Sequence, residues 1–499
     1  MKIKSILIAN RGEIAIRIMQ TAREMGIKTY AIKTSKEPGA WYLDEADELI
    51  DFTETLNDTP EFLDIERIIA AVKEHKIDAV HPGYGFLAEN PVFARRCEEE
   101  NINFIGPSSE VIYNMGNKTV AKELARKNNV PLLRGSKGTL LNASYAVKMA
   151  DIIGYPVILK AAAGGGGRGM RVVEKAADVE RMYNLASNES AKAFNDPSMF
   201  IEKYVRNPRH IEFQIMADKH GNVIHLGERE CSIQRKHQKL IEESPSPALD
   251  KELRDKMGQA AIAIAKAVGY YSAGTVEFLL DVDRSFYFME MNTRIQVEHP
   301  VTELVTGIDL IEQMIRIAEG EKLPFTQEQI KLKGHAIEFR INAEDVQSGF
   351  SPSLGVIEKI SWPEGDNIRV DTGVREGSVI TPYFDSMIAK LIIYGEDREK
   401  ALQASSNAIK KFWIKGTKTT LSFCRAVLQN GNFRKGNFDT SFLSSELTIH
   451  YHSEPEEEML AAFFAVYDYA RDLEEAEGKV PNTEKGKRIT PWLLNKRLR

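Results

Sequence analysis

The sequence contains little of what would mark a secreted or membrane protein. Its three cysteines, Cys97, Cys231 and Cys424, lie far apart and form no CxxC pair, which fits a reducing compartment without structural disulfides. No apolar run approaches the ~18 residues of a membrane span. Met1 to Lys4 lead directly into a strand pattern rather than into the apolar core of a signal peptide. We therefore expect a cytoplasmic protein.

An excess of positive charge is also missing. The chain has 66 lysine and arginine residues against 72 aspartate and glutamate residues, a formal net charge of −6. This balance argues against bulk binding to nucleic acid or to a membrane surface. The hydrophobic share of 43% and the charged share of 28% are ordinary for a globular protein with a sizeable core. The length of 499 residues predicts about three domains.

Short apolar strands alternate with helical patterns along the first part of the chain. The predicted elements are strands at residues 5–9, 29–34 and 77–81, a helix after Gly12 and a helix at residues 65–74. The alternation predicts a doubly wound parallel α/β domain over residues 1–113. No GxGxxG follows the first strand, so dinucleotide binding is poorly supported. Ligands of such sheets bind at strand ends, here after Ala9 and His81.

Two further domains are predicted, at residues 114–332 and 333–445. The elements expected in them are helices at 118–128, 304–319 and 399–413, strands at 156–160 and 170–173, and more strands in 270–300 and from 334. Residues 446–499 form an extension with a helical apolar stripe and a basic tail. We interpret it either as a helix packed on the third domain or as a surface for a partner.

A glycine-rich loop, Gly164 to Gly167 followed by Arg168, lies between two apolar strands. Consecutive glycines let backbone N–H groups approach an anion, so the loop favours phosphate binding. It lacks the Gly-Lys-Ser/Thr ending of a Walker A loop, and a flexible hairpin is the alternative. Lys118 and Lys160 are candidate partners for a phosphate or a purine.

Polar residues occupy every second position between Phe288 and His299. On an extended segment, Glu290, Asn292, Arg294, Gln296 and Glu298 would share one face. Such a face is costly beside a core unless a metal or an anion completes it; a half-exposed strand is the alternative.

Glu277 is the only acid in the apolar strand from Gly274 to Leu280. With Glu290 and Asn292 it offers oxygen ligands of the kind that magnesium or manganese uses with a nucleotide. A structural ion-pair network is the alternative.

The segment from Gly227 to Lys239 is rich in cations for a net-negative protein. A nucleophilic pair of Cys231 and His237 is conceivable, but no other residue supports an acyl-enzyme. An anion site that uses His237 and Lys239 fits the charge better, and a solvated loop is the remaining interpretation.

Several motifs together resemble one family. They are Asn10-Arg11-Gly12-Glu13-Ile14-Ala15, His81-Pro82-Gly83-Tyr84-Gly85-Phe86-Leu87, the glycine loop, Arg235-Lys236-His237-Gln238-Lys239, the segment Glu290 to His299, and Arg340-Ile341-Asn342-Ala343-Glu344-Asp345. In order and spacing they resemble the biotin carboxylase family of ATP-grasp ligases, from about residue 3 to residue 443. The resemblance implies an α/β fold with a doubly wound N-terminal domain, an ATP-grasp domain with a mobile lid at about 131–203, and a strand-rich C-terminal domain.

The resemblance also implies ligands for individual residues. ATP would be held by Lys118, Lys160, Gly164, Gly165, Gly166, Gly167, Glu202, Lys203, Val205 and His210, and His237 is a further cofactor-binding candidate. Two Mg²⁺ or Mn²⁺ ions would be held by Glu277, Glu290 and Asn292. Bicarbonate would be surrounded by Lys239, Arg294, Gln296, Val297 and Glu298, and the biotin ureido group would meet Tyr84, Gly85 and Arg340.

The implied reaction is ATP-dependent carboxylation of biotin. Bicarbonate, deprotonated by Glu298, would attack ATP to give carboxyphosphate, which would release CO₂ and phosphate. Phosphate would then deprotonate the biotin N1, and Arg340 would stabilise the ureido oxyanion. The alternatives are another ATP-grasp ligase and a carboxylase subunit without catalytic activity, although the second would be expected to lose its metal ligands.

Three departures and a missing motif qualify the resemblance. Asn117 and Glu230 stand where the family usually has aspartate, and Trp41-Tyr42-Leu43 differs from the commoner His-containing segment. The biotin-accepting Met-Lys-Met turn is missing, and Ala146-Val147-Lys148-Met149 lies in a helical stretch. We therefore expect a homodimeric subunit that works with a biotinyl carrier protein and a carboxyltransferase subunit. The carboxyltransferase would choose the final carboxyl acceptor.

Overall fold

The computed structural model describes residues 2–54, 58–162, 170–194, 196–445 and 447, with six positions between 462 and 469. The predicted glycine loop and nearly all of the extension lie outside these residues. Met1–Leu447 forms one unit and Thr448–Arg499 a second; the description below concerns the first. Among the described residues, none of the helices has the length and apolar character that crossing a bilayer requires.

A parallel five-stranded sheet opens the chain, in the strand order β3-β2-β1-β4-β5. Its elements are β1 (Ser5–Ile8), α1 (Gly12–Glu24), β2 (Lys28–Lys33), α2 (Trp41–Glu45), β3 (Glu48–Asp51), α3 (Ile65–Glu74), β4 (Ala79–His81), α4 (Pro91–Glu99), β5 (Asn103–Phe104) and α5 (Ser109–Gly116). The predicted doubly wound fold is confirmed. Apolar strands and the inner faces of the helices form one core, which includes Ile6, Leu7, Ile18 and Val80.

The loops after β1 and β4 meet at the carboxyl edge of this sheet, because the two strands are neighbours. Asn10 Nδ2 donates to the carbonyl oxygens of Pro82 and Tyr84, each at 2.7 Å. Gly83 has φ +61°, and a Cβ there would lie 2.9 Å from the Asn10 side chain. The contact therefore requires glycine.

A small antiparallel sheet, β7-β6-β8, follows. Helix α6 (Lys118–Lys127) precedes it and contributes Ala121 and Ala125 to the core under the large sheet. The elements of the small-sheet region are α7 (Ala143–Ile153), β6 (Val157–Ala161), β7 (Arg171–Val173), α8 (Ala176–Phe194) and β8 (Met199–Lys203). Leu140, Ala146, Leu159 and Ile201 belong to an apolar core separate from the others. This region coincides with the predicted lid, whose movement stays a prediction.

The largest sheet has eight antiparallel strands in the order β13-β12-β9-β10-β11-β14-β21-β19. The elements of this half are β9 (Arg209–Ala217), β10 (Val223–Arg235), β11 (Gln238–Ser244), α9 (Lys251–Ala267), β12 (Ser272–Leu280), β13 (Phe286–Asn292), α10 (His299–Thr306), α11 (Leu310–Ala318), β14 (His335–Asn342), β15 (Glu344–Asp345), β16 (Ser351–Pro352), β17 (Gly355–Val356), β18 (Lys359–Ser361), β19 (Ile368–Thr372), β20 (Val379–Ile380), β21 (Met387–Gly395), α12 (Arg398–Lys411), β22 (Trp413–Lys415), α13 (Leu421–Gln429), α14 (Gly431–Arg434) and α15 (Phe442–Ser445). β11 and β14 are paired, so the sheet continues across the domain boundary predicted at residue 333.

The structure corrects two predicted elements. The extended segment expected to reach Glu298 ends at Asn292, and the Thr293 amide donates to Glu89 Oε1 at 2.9 Å instead of to a strand. Glu298 is the N-cap of α10, whose first turn contains Pro300. The single helix expected at 304–319 is two helices, because Gly307 adopts φ +73° and ends α10.

Candidate active site

A cavity of about 1490 Å³ opens between the first sheet, the small sheet and the large sheet. The predicted residues that line it are Tyr84, Gly85, Lys118, Lys160, Lys203, Val205, His210, His237, Lys239, Glu277, Glu290, Asn292, Arg294, Gln296, Val297 and Arg340. Glu202 and Glu298 lie behind the wall and contact lining residues, Lys160 and Lys239. Gly164 to Gly167 lie outside the described residues.

Strand register places four charged residues in one row, which begins at the cavity with Glu290 and Glu277 and continues into the buried interior. Glu290 on β13 faces Glu277 on β12, which faces Glu212 on β9, which faces Arg229 on β10. In a medium of low polarity, neighbouring carboxylates in this row repel each other strongly, and the guanidinium of Arg229 attracts Glu212. The carboxylates of this row therefore depend on neighbouring groups that compensate their charge.

Glu277 has the partners that a buried acid needs. Its Oε2 lies 2.9 Å from His210 Nε2, and its Oε1 accepts from Asn292 Nδ2 at 2.8 Å and from Lys239 Nζ at 3.2 Å. Burial alone would raise its pKa, but Lys239 and His210 hold the pKa well below its usual range. Glu277 is therefore ionised at neutral pH.

Glu290 is in the opposite situation. Burial and the facing charge of Glu277 raise its pKa, although Lys118 partly offsets the shift. Two carboxylates and the Asn292 amide oxygen at the open end of two paired strands are hard oxygen donors, which suit a divalent cation such as Mg²⁺. A cation there would also relieve the repulsion, so the residues present fit the predicted metal site.

Lys239 links Glu277 and Glu212 of this row to Glu298. Its Nζ donates to Glu212 at 2.5 Å and to Glu298 at 2.6 Å. Glu298 also accepts from Arg340 Nη2 at 2.8 Å. Burial alone would raise the pKa of Glu298, but Lys239, Arg340 and Arg229 lower it well below its usual range.

Arg294 and Gln296 lie beside this cluster, although not on a strand. Arg294 Nη1 donates to Gln296 Oε1 at 2.8 Å, and its Nε donates to Glu89 Oε2 at 2.9 Å. Gln296 Nε2 donates to Glu277 at 3.3 Å. These side chains lie close together, but the predicted strand face does not bring them there: the loop after Asn292 does.

Several lysines also line the cavity or lie close to it. Glu202 accepts from Lys160 Nζ at 2.8 Å and also from Lys122. Burial would raise the pKa of Glu202, but the two lysines hold it at about 2. Lys203 Nζ donates to the carbonyl oxygens of Gly154 and Tyr155 at 3.0 and 2.7 Å. The concentration of positive charge suits a polyphosphate.

The sequence reasoning missed three of these residues, Glu212, Arg229 and Lys122. His210, Glu212 and Gln214 alternate along β9 as Glu290 and Asn292 do along β13, and that alternation was a usable signal for Glu212. Lys122 lies one helical turn after Lys118, which indicates a shared face. No comparable pattern identifies Arg229.

Tyr84 and Arg340 line the cavity from opposite sheets. The Tyr84 hydroxyl donates to Glu13, a buried acid on α1. Arg340 also pairs with Glu242, its Nε donating to Oε1 at 2.6 Å.

Cys231 is fully buried beside Glu212 and Glu298. Burial raises the pKa of its thiol well above the usual range, which opposes a thiolate nucleophile and agrees with the anion-site interpretation of this segment.

Family comparisons agree with this geometry. The profile "Biotin carboxylase, N-terminal domain" matches residues 2–112, "Carbamoyl-phosphate synthase L chain, ATP binding domain" matches residues 117–326, and "Biotin carboxylase C-terminal domain" matches residues 338–445. The biotin carboxylase of Nostoc sp. is 50% identical over 443 residues, covering 89% of this chain and 99% of the relative. The small subunit of Hydrogenobacter thermophilus 2-oxoglutarate carboxylase is 47% identical over 451 residues, covering 90% and 95%.

A solved structure also resembles this chain closely. The biotin carboxylase domain dimer of Hydrogenobacter thermophilus 2-oxoglutarate carboxylase, in complex with MgADP, ADP and bicarbonate, superposes with a TM-score of 0.87 at 47% identity. The match covers 91% of this chain and all of that one. Fold and site together define an ATP-dependent ligase of the ATP-grasp class. Within that class, the chain belongs to the biotin carboxylase family.

Proposed function

We propose that this chain catalyses the ATP-dependent carboxylation of biotin by bicarbonate. The observation that carries the proposal is a single cavity lined by the acids Glu277 and Glu290, by Lys239 and Arg340, which both contact Glu298, and by the lysines Lys118, Lys160 and Lys203. A relative crystallised with MgADP and bicarbonate supports the same set of substrates.

Different groups of lining residues suit different parts of the reaction. Lys118, Lys160 and Lys203 would hold the nucleotide, and Glu277, Glu290 and Asn292 would hold Mg²⁺ or Mn²⁺. The bound metal would supply charge neutralisation at the transferring phosphoryl group. Arg294, Gln296 and the Val297 region would orient bicarbonate.

Glu298 is the proposed base. In the structure Lys239 and Arg340 hold its carboxylate ionised, so it can accept a proton at neutral pH. Bicarbonate would compete for the same two cations, and their withdrawal from Glu298 would make its carboxylate more basic. The deprotonated bicarbonate would then attack ATP to give carboxyphosphate and ADP.

Arg340 and Tyr84 are proposed to receive the biotin ureido group. Carboxyphosphate would release CO₂ and phosphate, phosphate would take the N1 proton, and the Arg340 guanidinium would stabilise the negative charge that develops on the ureido oxygen. The deprotonated N1 would then attack the carbon of CO₂, which forms the N–C bond of carboxybiotin.

Biotin would arrive on a partner. The Hydrogenobacter relative is the small subunit of 2-oxoglutarate carboxylase, and the solved structure of its biotin carboxylase domain is a dimer. We infer that this chain forms a homodimer and that it works with a biotinyl carrier protein and a carboxyltransferase subunit. The two alternatives are not favoured: the biotin carboxylase N- and C-terminal profiles oppose another ATP-grasp ligase, and the intact acids Glu277 and Glu290 oppose a non-catalytic role.

A steady-state assay of ADP release tests the proposal. We expect slow release with MgATP alone and faster release when bicarbonate and free biotin are both added. Release that is unaffected by bicarbonate would contradict it.

A further inference from the structure

Two buried acids next to Arg340 have no part in the reaction proposed above. Glu242 on β11 and Glu338 on β14 lie directly opposite each other in the antiparallel register, and both are fully buried. Within the described part of the chain, neither oxygen of Glu338 has a hydrogen-bond partner, and Glu242 Oε2 has none either. Facing carboxylates in a low-dielectric interior do not both stay ionised.

The two cations near this pair, Arg340 and Lys390, also have other partners. Arg340 donates to Glu242 at 2.6 Å and to Glu298 at 2.8 Å. Lys390, opposite Arg340 on β21, approaches Glu13 at 3.1 Å and donates to the Val297 carbonyl at 3.1 Å. The charged groups that act directly on Glu338 from the surrounding elements are Lys390, Glu242, Arg340 and Glu298. Lys390 is in turn paired with Glu13 and Asp371, and Glu298 is paired with Lys239.

We propose that Glu242 and Glu338 share one proton, as a carboxylic acid paired with a carboxylate, and that this pair positions Arg340 against Glu298. The inference rests on the proposed function, because Arg340 matters through its contact with biotin. A proton on Glu338 supplies a donor for the unpartnered Glu242 oxygen and leaves a single negative charge for the guanidinium. Glu242 and Glu338 are positioning residues, since they act through Arg340.

The direction of the pKa shifts agrees with this assignment. Burial, with a further contribution from Glu242, raises the pKa of Glu338 well above its usual range. Burial also raises the pKa of Glu242 to about 7, against the lowering effect of Arg340. At alkaline pH the pair loses its proton, and the second negative charge draws Arg340 away from Glu298. The KM for biotin should therefore rise as the pH rises.

The experiment measures ADP release with free biotin between about pH 6.5 and about pH 9. For Glu338→Gln, a neutral isostere of the protonated acid, we expect the alkaline rise in biotin KM to disappear or to move upward by at least ~1 pH unit. For Glu338→Leu, which cannot bond Glu242, we expect a biotin KM on the order of tenfold higher at every pH, as for one lost hydrogen bond. The KM for ATP should stay within about twofold in both.

Glu243→Gln is the matched control. Glu243 is the next residue on β11, equally buried, but its partners are His335 and Arg398. Its loss should lower the melting temperature without moving the pH profile or the biotin KM.

An alkaline rise that persists in Glu338→Gln, or a Glu338→Leu variant that resembles Glu243→Gln, would overturn the inference. If Glu338→Gln does not fold, Glu242→Gln gives the second test, with a raised biotin KM and no alkaline rise expected; an unchanged KM and profile would contradict the shared proton. Absence of biotin-dependent ADP release in the unmodified chain would instead refute the proposed function.

Discussion

At the scale of the residue, Glu298 illustrates how neighbours set chemical behaviour. It is fully buried, yet Lys239 and Arg340 lie at 2.6 and 2.8 Å from its oxygens. Glu298→Gln keeps the shape and removes the base. We expect turnover to fall by roughly 10²–10⁴-fold, the usual contribution of a general base, while ATP binding is retained. Near-normal turnover in a correctly folded variant would assign the base to another residue.

Glu243 gives a prediction about stability and pH. Burial alone would raise its pKa, but His335 and Arg398 hold the pKa at about 2, below the ordinary value of 4.5. A depressed pKa stabilises the fold above the unfolded pKa, and this contribution is lost as the pH falls from about 4.5 toward about 2. Glu243→Gln should lower the free energy of unfolding by ~3–5 kcal/mol at neutral pH.

Urea unfolding at several pH values measures this effect. The difference between the unmodified chain and Glu243→Gln should shrink below about pH 4.5. A difference that stays constant down to about pH 3 would show that His335 and Arg398 do not lower the pKa of the Glu243 carboxyl.

The sequence could predict that a buried acid needs a partner, because residue type alone limits its chemistry. A lone acid in an apolar strand needs a partner, and Glu277 has His210, Lys239 and Asn292. The partners themselves come from other strands, and strand order cannot be read from one sequence. Arg229 and Glu242 are fully buried charges that only the register places beside the site.

At the scale of the element, helix α6 carries Lys118 into the cavity, and Asn117 begins it. The Asn117 side chain accepts from the amides of Thr119 and Val120 at 3.0 and 3.3 Å. Aspartate caps a helix about as well as asparagine, so Asn117→Asp should leave the KM for ATP within about twofold. Asn117→Ala should cost about 1 kcal/mol of stability and raise that KM.

Asn90 provides the control for this prediction. It caps α4 with the same two-amide pattern, at 2.9 and 3.0 Å, and α4 does not line the cavity among the described residues. Asn90→Ala should cost similar stability without changing the KM for ATP. If both alanine variants change that KM equally, the cap at Asn117 has no specific role in placing Lys118.

Alternation along an element proved informative but incomplete. It predicted that Glu290 and Asn292 share a face, and β13 confirms this over its paired length. Alternation predicted a strand that continues to Glu298, whereas β13 ends at Asn292. The strand ends there because the Thr293 amide bonds to Glu89 and because α10 begins at His299 with a proline in its first turn. The same segment then reaches the cavity as a loop.

At the scale of the whole molecule, one sheet joins what the sequence suggests are two domains. β11 pairs with β14 across the predicted boundary, so Lys239 and Arg340 lie side by side at Glu298 although about a hundred positions separate them in the chain. The alternation of strands and helices was sufficient to predict the first sheet. The pairing of β11 with β14 depends on long-range contacts, which no local pattern encodes.

The central claim is that this single cavity couples ATP cleavage to carboxylation of biotin. The most direct measurement supplies labelled bicarbonate, MgATP and free biotin to the purified chain and follows both ADP and label in biotin. We predict label in biotin, formed only when all three substrates are present, with ADP released in at least equal amount. ADP release at the same rate without bicarbonate, with no label in biotin, would contradict the account.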